Sequence, residues 1–417
     1  MKKNPGRGRL LTTAKPFALA LLVLSPGIAP ASPTLTTLHS FAGGQEDGEY
    51  SLGQLILVRG ALYGSTYFGG AAGQGTLFTV DTMTGAEALL HSFTAGRDDG
   101  GNPAGGLLYR GGTFYGTTEY AGAAQNGGTV FAYSATKGES LRHSFAGGSD
   151  GKRPQDALTY WAGALYATTR VGGGSGCHAH TGCGTIYRIA PRSGLETVLY
   201  RFQGGATDGS YPDAPLTVVD GTLFGVTHDG GGTGCEHHNG CGTVFQYDPG
   251  TSTYKIVHVF QGGATDGAHP TGALLFARGQ LYATTELGGG PKCGGIGCGA
   301  ILSIDPASGA VTILHAFNNS DGFQPRGGLV ARAPRSESPT LAYGTTFLGG
   351  AAGKGTIFQV NIVANKVAPL YSFTGGEDGG DPSGPLTYSS GNDSFYGATL
   401  GGGTAACKCG TVFQFKP

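Results

Sequence analysis

One pattern recurs seven times along this chain and limits the folds that it can adopt. In each unit a phenylalanine ends a short apolar stretch, and an Asp-Gly pair follows four to six residues later. Each unit then has a stretch resembling Tyr-Gly-Thr-Thr and another resembling Gly-Thr-Val-Phe. Successive phenylalanines are 52 to 58 residues apart: Phe41, Phe93, Phe145, Phe202, Phe260, Phe317 and Phe373. A repeat of this length indicates one supersecondary unit stacked many times.

Each unit reads as four β-strands. In the second unit the strands are "GGLLY", "TFYGTT", "GTVFAYS" and "SLRHSF", and the first two are joined by a tight glycine turn, "RGG". Large apolar residues alternate with small or polar ones along "FYGTT" and "TVFAY", which is the period of a strand. Seven units of four antiparallel strands predict an all-β chain that folds as a seven-bladed β-propeller.

The two ends of the predicted domain support this interpretation. The repeat region starts with a single last strand, "LTTLHSF", and finishes on a third strand, "GTVFQF", that has no fourth strand after it. We therefore expect the N-terminal strand to complete the last blade, which would remove the free sheet edges. Residues 32–417 are predicted to form this single propeller.

The repeated residues resemble a known family. The pattern F-x-GG-x-x-DG, P-x-x-x-L, LYGTT and GTVF is similar to the GloVer tandem repeat of exported bacterial choice-of-anchor proteins, over essentially all of residues 32–417. The resemblance implies a secreted or surface β-propeller and assigns no activity to particular residues. An anchoring C-terminal tail is missing here, which favours release or retention in the periplasm.

The first 31 residues are predicted to be a secretory signal peptide. They have a basic start, a short apolar core "FALALLVL" and the small-residue stretch "APA", with cleavage expected after Ala31. The later sequence has no apolar run long enough to cross a bilayer. The remaining residues have 21 basic and 27 acidic side chains and no basic stripe, so nucleic acid is not expected as a partner. We expect a secreted or periplasmic monomer.

Loop positions that vary between units are the candidate binding residues. In a propeller, the loops before the first strand and after the second strand lie on one face, here the loop-rich face. We define the first rim set as the residues directly after the second strand: Tyr67, Glu119, Arg170, His228, Glu286, Phe347 and Leu400. The second rim set precedes the proline of each repeat, which is replaced by Ser51 in the first unit: Tyr50, Asn102, Arg153, Tyr211, His269, Gln324 and Asp381. Their mixed chemistry would suit a sugar or peptide, although a solvated loop surface is the alternative.

The repeated Asp-Gly pair is predicted to be structural. We expect each aspartate to accept backbone N–H groups in a turn and each glycine to take a positive φ. The alternative is a ring of seven carboxylates around the axis that attracts a cation.

All eight cysteines lie in loops between the second and third strands. An exported chain favours disulfides, so we predict the pairs Cys177 and Cys183, Cys235 and Cys241, Cys293 and Cys298, and Cys407 and Cys409. The last two cysteines are separated by one residue, so the alternatives of a reduced pair or of other partners stay open there. The competing hypothesis is a zinc or copper site in two neighbouring loops, formed by His178, His180, His237 and His238.

Two functions fit these patterns. The first is a binding or scaffold propeller without a cofactor, which recognises an extracellular glycan, peptide or protein. The candidate ligand-binding residues are Tyr67, Glu119, Arg170, His228, Glu286, Phe347, Arg153, Tyr211 and His269.

The alternative is an extracellular enzyme that acts on polysaccharides. A lyase would use Arg170 or Arg153 to neutralise a uronate and His228, His269 or Tyr211 as base and acid. A hydrolase would use Glu119 and Glu286, but they lie three blades apart, so it is the weaker version.

Overall fold

The computed structural model describes residues 1, 32–123, 126–177, 181–235, 239–333 and 339–417. Pro33–Pro417 form one compact unit. The predicted signal peptide, apart from Met1, lies outside the described residues and stays a prediction. Within the described ranges, the one helical element noted is a 3₁₀ turn at Cys293–Gly295, and no helix could cross a membrane.

Seven antiparallel sheets confirm the predicted seven-bladed β-propeller. Blade 1 has the strands Ile56–Val58, Ala61–Thr66, Thr76–Asp81 and Glu87–Ser92. Blade 2 has Leu108–Arg110, Thr113–Thr118, Thr129–Ser134 and Gly138–Ser144. Blade 3 has Thr159–Trp161, Ala164–Thr169, Thr185–Ile189 and Glu196–Arg201. Blade 4 has Gly209–Pro212 and Thr217–Val219, both paired with Thr222–Gly230, then Thr243–Asp248 and Thr253–Val259.

The remaining three blades follow the same order. Blade 5 has Gly267–Ala277, Gln280–Gly288, Ala300–Ile304 and Val311–Ala316. Blade 6 has Val330–Ala331, Leu341–Thr346, Thr356–Asn361 and Lys366–Ser372. Blade 7 has Thr387–Ser389, Ser394–Ala398 and Thr411–Lys416. Short two-residue strands pair at the loop-rich face of three blades: Gly48–Glu49 with Phe68–Gly69, Gly100–Gly101 with Tyr120–Ala121, and Gly151–Lys152 with Val171–Gly172.

The N-terminal strand closes the ring as predicted. Thr34–Ser40 pairs antiparallel with Thr411–Lys416, in a register that matches Thr34 to Lys416 and Ser40 to Thr411. It forms the outer strand of blade 7, so this sheet has four strands from opposite ends of the chain.

The repeated phenylalanine fills the seam between neighbouring blades. Phe41 is fully buried and meets Phe78 of blade 1 edge to face, with ring centroids 5.1 Å apart. Phe93 meets Phe131 of blade 2 in the same way at 5.2 Å. Edge-to-face pairs of this kind add stability beyond the burial of their area. The seams are therefore the hydrophobic core, and they fix each blade against the next.

The Asp-Gly turns confirm one expectation and correct another. Asp266 accepts N–H bonds from Gln261 at 2.9 Å and from Gly267 at 2.8 Å, as predicted for a turn. The prediction of a positive φ for the glycine is wrong in five of the seven units, since only Gly322 and Gly379 have one. The glycine is required for space instead, because a Cβ on Gly267 would lie 2.5 Å from Thr285 Cγ2.

These aspartates also bond to an outer-strand side chain that the sequence reading missed. The residue two positions before each repeat phenylalanine is a histidine or a tyrosine, and it faces the aspartate of its own turn. His258 Nε2 lies 3.1 Å from Asp266 Oδ2, and Tyr200 Oη donates to Asp208 Oδ2 at 2.9 Å. The carboxylates are thus occupied within the turns rather than gathered around the axis.

All four predicted disulfides are formed: Cys177–Cys183, Cys235–Cys241, Cys293–Cys298 and Cys407–Cys409. The alternatives that the sequence left open for the last pair are corrected by this bond. Lys408 between them takes a positive φ of 54°, and the two Cα atoms lie 5.2 Å apart, within the usual range for a disulfide. His178, His180, His237 and His238 lie outside the described residues.

Candidate functional site

A central cavity of about 760 Å³ opens among residues of all seven blades. The chain segments just before the first strands form its wall, and they pack closely. A Cβ on Gly53 would lie 2.6 Å from the backbone of Gly105 in the next blade. Glycine at this position therefore lets neighbouring blades meet at the axis.

Four residues of the first rim set line this cavity: Tyr67, Glu119, Arg170 and Glu286. A third rim set, missed in the sequence, lines it as well. These residues come directly after the proline position of each repeat: Leu52, Ala104, Gln155, Asp213, Thr271, Arg326 and Ser383. They vary between units as much as the first two sets do, so the same criterion applied to this position would have found them.

The second rim set has an unusual backbone. All seven residues take a left-handed conformation, with φ between 54° and 59°. Their N–H groups donate to the preceding blade, as His269 does to the Cys241 carbonyl at 2.8 Å. A side chain costs about 1 kcal/mol in this conformation, and glycine would avoid the cost. The chain has 81 glycines but none here, which marks these side chains as functional candidates.

A polar network joins blades 1, 2 and 3. The Tyr67 hydroxyl donates to Glu119 Oε2 at 2.7 Å, and Arg153 Nη2 lies 2.7 Å from Glu119 Oε1. Arg153 also donates to the hydroxyl of Tyr120 and lies over its ring, 4.9 Å from the centroid. Burial, and then the bond to Glu119, raise the pKa of Tyr67 well above its usual value, so the hydroxyl stays a donor.

Arg170 is held in a similar way between blades 3 and 4. Its Nη1 donates to Gln155 Oε1 at 3.1 Å and to Asp213 Oδ2 at 3.2 Å, and the guanidinium lies 6.0 Å from the Tyr211 ring centroid. Asp156 is buried beside this pair and accepts a bond from Thr168 at 2.8 Å. Burial, and then the charge of Asp213, raise the pKa of Asp156 well above its usual value, which favours its neutral form.

Arg326 repeats this arrangement at blades 5 and 6. Its Nε lies 3.0 Å from Glu286 Oε1, and its guanidinium lies 4.1 Å from the Phe347 ring centroid. A further bond of 3.3 Å joins it to Gln324. Arg326 belongs to the third rim set, which follows the proline position, so it was not among the candidate residues predicted from the sequence.

The three arginines therefore share one arrangement, in which a carboxylate and an aromatic ring lie beside the guanidinium. The side chains of Arg153, Arg170 and Arg326 are 35%, 36% and 34% exposed, while their carboxylate partners Glu119, Asp213 and Glu286 are 5%, 23% and 16% exposed. Each carboxylate holds the guanidinium in place from the protein side, and an aromatic ring lies along it. The exposed N–H groups of these guanidiniums can bind an anion with little loss of side-chain freedom.

His228, Asp229 and His269 form a compact group between blades 4 and 5. The Nδ1 atoms of His228 and His269 lie 2.6 Å and 3.2 Å from Asp229 Oδ1, and the two rings stack with centroids 4.4 Å apart. Burial alone would raise the pKa of Asp229, but the bonds from both imidazoles outweigh it and hold this pKa well below its usual range. Burial alone would lower the pKa of His269, and the bond to Asp229 raises it instead.

Aromatic rings are exposed on the same face at blade 1. Tyr50 and Phe68 are 36% and 40% exposed, and Phe68 meets both Tyr50 and Tyr67 edge to face at 6.0 Å and 4.8 Å. They adjoin the network of Glu119 through Tyr67. An aromatic platform beside fixed polar groups is suited to the flat, apolar face of a sugar ring.

The structure groups the predicted residues by seam rather than by blade. Glu119 contacts Arg153, Arg170 lies beside Tyr211, and His228 contacts His269, so the first rim set of one blade meets the second rim set of the next. Glu119 and Glu286 belong to separate networks with different arginines.

These features define a class of protein: a seven-bladed β-propeller with varied side chains around one mouth of its central cavity. The sequence then gives the particular family. Residues 27–238, 178–336 and 297–417 match the Gloeobacter/Verrucomicrobia repeat, so the chain belongs to that repeat family. The predicted resemblance is thereby confirmed. A comparison with curated protein sequences gives no match.

Solved structures share the fold at low sequence identity. An oligogalacturonate lyase in complex with manganese is 12% identical, with a TM-score of 0.55 over 92% of each chain. An oligogalacturonate lyase from Vibrio parahaemolyticus is 9% identical, with a TM-score of 0.53 over 92% of this chain and 93% of that chain. A chain of the mitotic checkpoint complex is 12% identical, with a TM-score of 0.52 over 95% and 98%. Such different proteins establish the fold alone.

Proposed function

We propose that this protein is an exported propeller that binds an acidic glycan at the mouth of its central cavity. One observation carries the proposal: three arginines on the loop-rich face, each fixed by a carboxylate and an aromatic ring, with about a third of the side chain exposed. Guanidinium groups held in this way present paired donors that match the geometry of a carboxylate.

The surroundings favour a sugar over a peptide. Tyr50 and Phe68 offer exposed rings at blade 1, and Tyr67 and Arg170 line the cavity. A cavity of about 760 Å³ has the size of a small-ligand pocket and would take a few sugar units. Aromatic rings for the sugar faces and arginines for the acid groups together suit a uronate-containing oligosaccharide.

Two further facts support the proposal. The two oligogalacturonate lyases that share the fold act, by their names, on an acidic oligosaccharide. All eight cysteines are bonded in pairs, which fits an oxidising compartment such as the periplasm or the cell exterior, where such glycans occur.

Calorimetric titration with oligogalacturonate and with a neutral oligosaccharide of equal length tests this function. We expect saturable binding of the acidic ligand alone. Arg170→Gln should weaken it at least about tenfold, because a hydrogen bond to a charged group contributes about 1.5–3 kcal/mol. Arg332→Gln is the matched control, since Arg332 is 38% exposed and also pairs with an aspartate, Asp393, but follows the first strand of blade 6 on the opposite face.

Equal binding of both oligosaccharides, or an equal loss in the two arginine variants, would contradict the proposal. The unfolding temperature of each variant shows whether a loss of binding comes from a loss of folded protein.

A second candidate function is a polysaccharide lyase at the same mouth. It is favoured by the contact of both His228 and His269 with Asp229 through Nδ1, because this leaves the Nε2 atoms available as bases. Such an enzyme would release an unsaturated uronate, which is followed by its ultraviolet absorbance. Binding without a rise in absorbance, with and without added divalent cations, would leave the binding function alone.

A further inference from the structure

Asp229 stands where the other blades have nonpolar or aromatic residues. Its position is the second one after the Thr that closes the "YGTT" stretch. The residues at this position in blades 1, 2, 3, 5, 6 and 7 are Phe68, Tyr120, Val171, Leu287, Leu348 and Gly401. The side chain of Asp229 is only 13% exposed. A carboxylate this buried costs free energy unless partners compensate, so its presence in one blade alone calls for a specific role.

Histidines occupy the two positions that contact it. His228 is the member of the first rim set in blade 4, and His269 is the member of the second rim set in blade 5. Each of the three side chains offers one ligand atom, and the three atoms lie within 4.8 Å of one another. Among the described residues of the other seams, the corresponding members of the first and second rim sets do not form a group of two histidines and a carboxylate. Three substitutions have thus produced a donor set of two imidazoles and one carboxylate.

Two other groups of histidine and carboxylates have a different character. In the group of His91, Asp99 and Glu139, the Asp99 oxygens accept N–H bonds from Thr94 and Gly100 at 2.9 Å and 2.7 Å. Asp150 in the corresponding group of blade 3 also accepts two backbone bonds. These carboxylates are already used by the repeated turn.

Asp229 does not belong to the repeated Asp-Gly turn. Among the described residues, its carboxylate accepts no backbone N–H bond, and its hydrogen-bond partners are the two imidazoles. His269 is 7% exposed and His228 is 25% exposed, so the group is half covered and open on the side of His228. An ion could reach it without unfolding the seam.

We infer that His228, Asp229 and His269 form a binding site for a divalent transition-metal ion at the mouth of the propeller. Imidazole nitrogen and carboxylate oxygen are ligands that such ions share. Three protein ligands leave positions for water or for an oxygen of a bound molecule. The inference does not depend on the proposed glycan, because it rests on a different seam and different residues.

The test is a metal titration of the oxidised protein after treatment with a chelator, with no glycan present. We expect one site, with affinity rising from Mn²⁺ through Co²⁺ to Ni²⁺ and no comparable binding of Mg²⁺ or Ca²⁺. Asp229→Asn and His228→Gln should each weaken Ni²⁺ binding at least about tenfold. His228→Gln alters a quarter-exposed side chain, so it keeps the test valid if Asp229→Asn fails to fold.

The matched control is His258→Gln, which removes an imidazole from a histidine–aspartate pair of the repeated turn. It should leave Ni²⁺ affinity unchanged. The absorption spectrum of the Co²⁺ complex adds a readout of the ligand set, which should lack a thiolate band.

Three results would overturn the site. One is full affinity in Asp229→Asn and His228→Gln, with loss instead on replacement of His237 and His238. Another is equal loss in His258→Gln. The third is Mg²⁺ or Ca²⁺ binding as tightly as Ni²⁺. Failure of glycan binding with normal metal binding would separate this inference from the proposed function.

Discussion

The outer turns and the inner mouth of the propeller use the same kinds of side chain in opposite ways. At the outer turns, an aspartate lies beside a histidine or tyrosine seven times, and in five of these turns it also accepts two backbone N–H bonds, as Asp266 does beside His258. At the mouth, His269 and Asp229 meet once. Repetition marks the groups that build the blades, and variation on a fixed backbone marks the groups that are free to bind.

The largest expected effect tests the structural side of this comparison. Gly267→Ala would place a Cβ 2.5 Å from Thr285 Cγ2 inside blade 5, so we expect a loss of about 3 kcal/mol in the free energy of unfolding, as for other overpacked sites. Urea unfolding followed by fluorescence measures it. Gly232→Ala is the control, because among the described residues its Cβ would have no neighbour nearer than 3.9 Å. Equal stability of the two variants would show that space does not select this glycine.

A pH-dependent effect of intermediate size is expected at the seam of blades 1 and 2. Burial, and then the charge of Asp99, raise the pKa of Glu139 from 4.5 to about 7. The folded protein therefore holds this proton more tightly than the unfolded chain does, and stability falls as the pH rises from 4.5 to 7. Glu139→Gln removes this loss. It should stabilise the protein by ~1 kcal/mol at pH 8, a value reduced for partial exposure, and by almost nothing at pH 4.

Thermal unfolding at the two pH values checks this prediction, with the exposed Glu46→Gln as control. A gain at pH 4 that equals the gain at pH 8 would refute the stated cause.

The smallest effect on stability is expected at the mouth. Phe68 is 40% exposed, so Phe68→Ala should change the free energy of unfolding by less than about 0.5 kcal/mol. It should nevertheless weaken the binding of an acidic oligosaccharide several-fold. Phe276→Ala is the control, because Phe276 is 37% exposed near the tight turn of blade 5. If it weakened binding as much, exposed aromatic area rather than position would be the cause.

The sequence was sufficient for the fold because the repeat itself carries the information. Seven phenylalanines, seven "GTVF" stretches and an unpaired strand at each end predict the blades and the closure at Thr34–Ser40. The cysteine pairs followed from their fixed place before the third strand. The positive φ predicted for the glycine after the aspartate is wrong in five units, because a single unit cannot reveal that a threonine such as Thr285 fills the space above a glycine such as Gly267.

The site was predictable only in part. The first two rim sets follow from position within the repeat, but their pairing across seams, such as Glu119 with Arg153, depends on the packing of neighbouring blades. The outer-strand partner of each turn aspartate, a histidine in five units and a tyrosine in two, stands two residues before each repeat phenylalanine, so the sequence alone could have indicated it. The third rim set, with Arg326, also varies between units, so comparison of this position across the repeats would have indicated it.

Ring closure by the two chain ends also has a kinetic consequence. The strand pair that joins Thr34–Ser40 to Thr411–Lys416 links residues almost the full length of the domain apart. Such a contact has the largest loop-closure entropy in the fold, and it can form only when the last strand is available. Folding of this propeller is therefore complete only after that pairing. A chain halted before its final strand would have six complete blades and an exposed edge on each side of the gap.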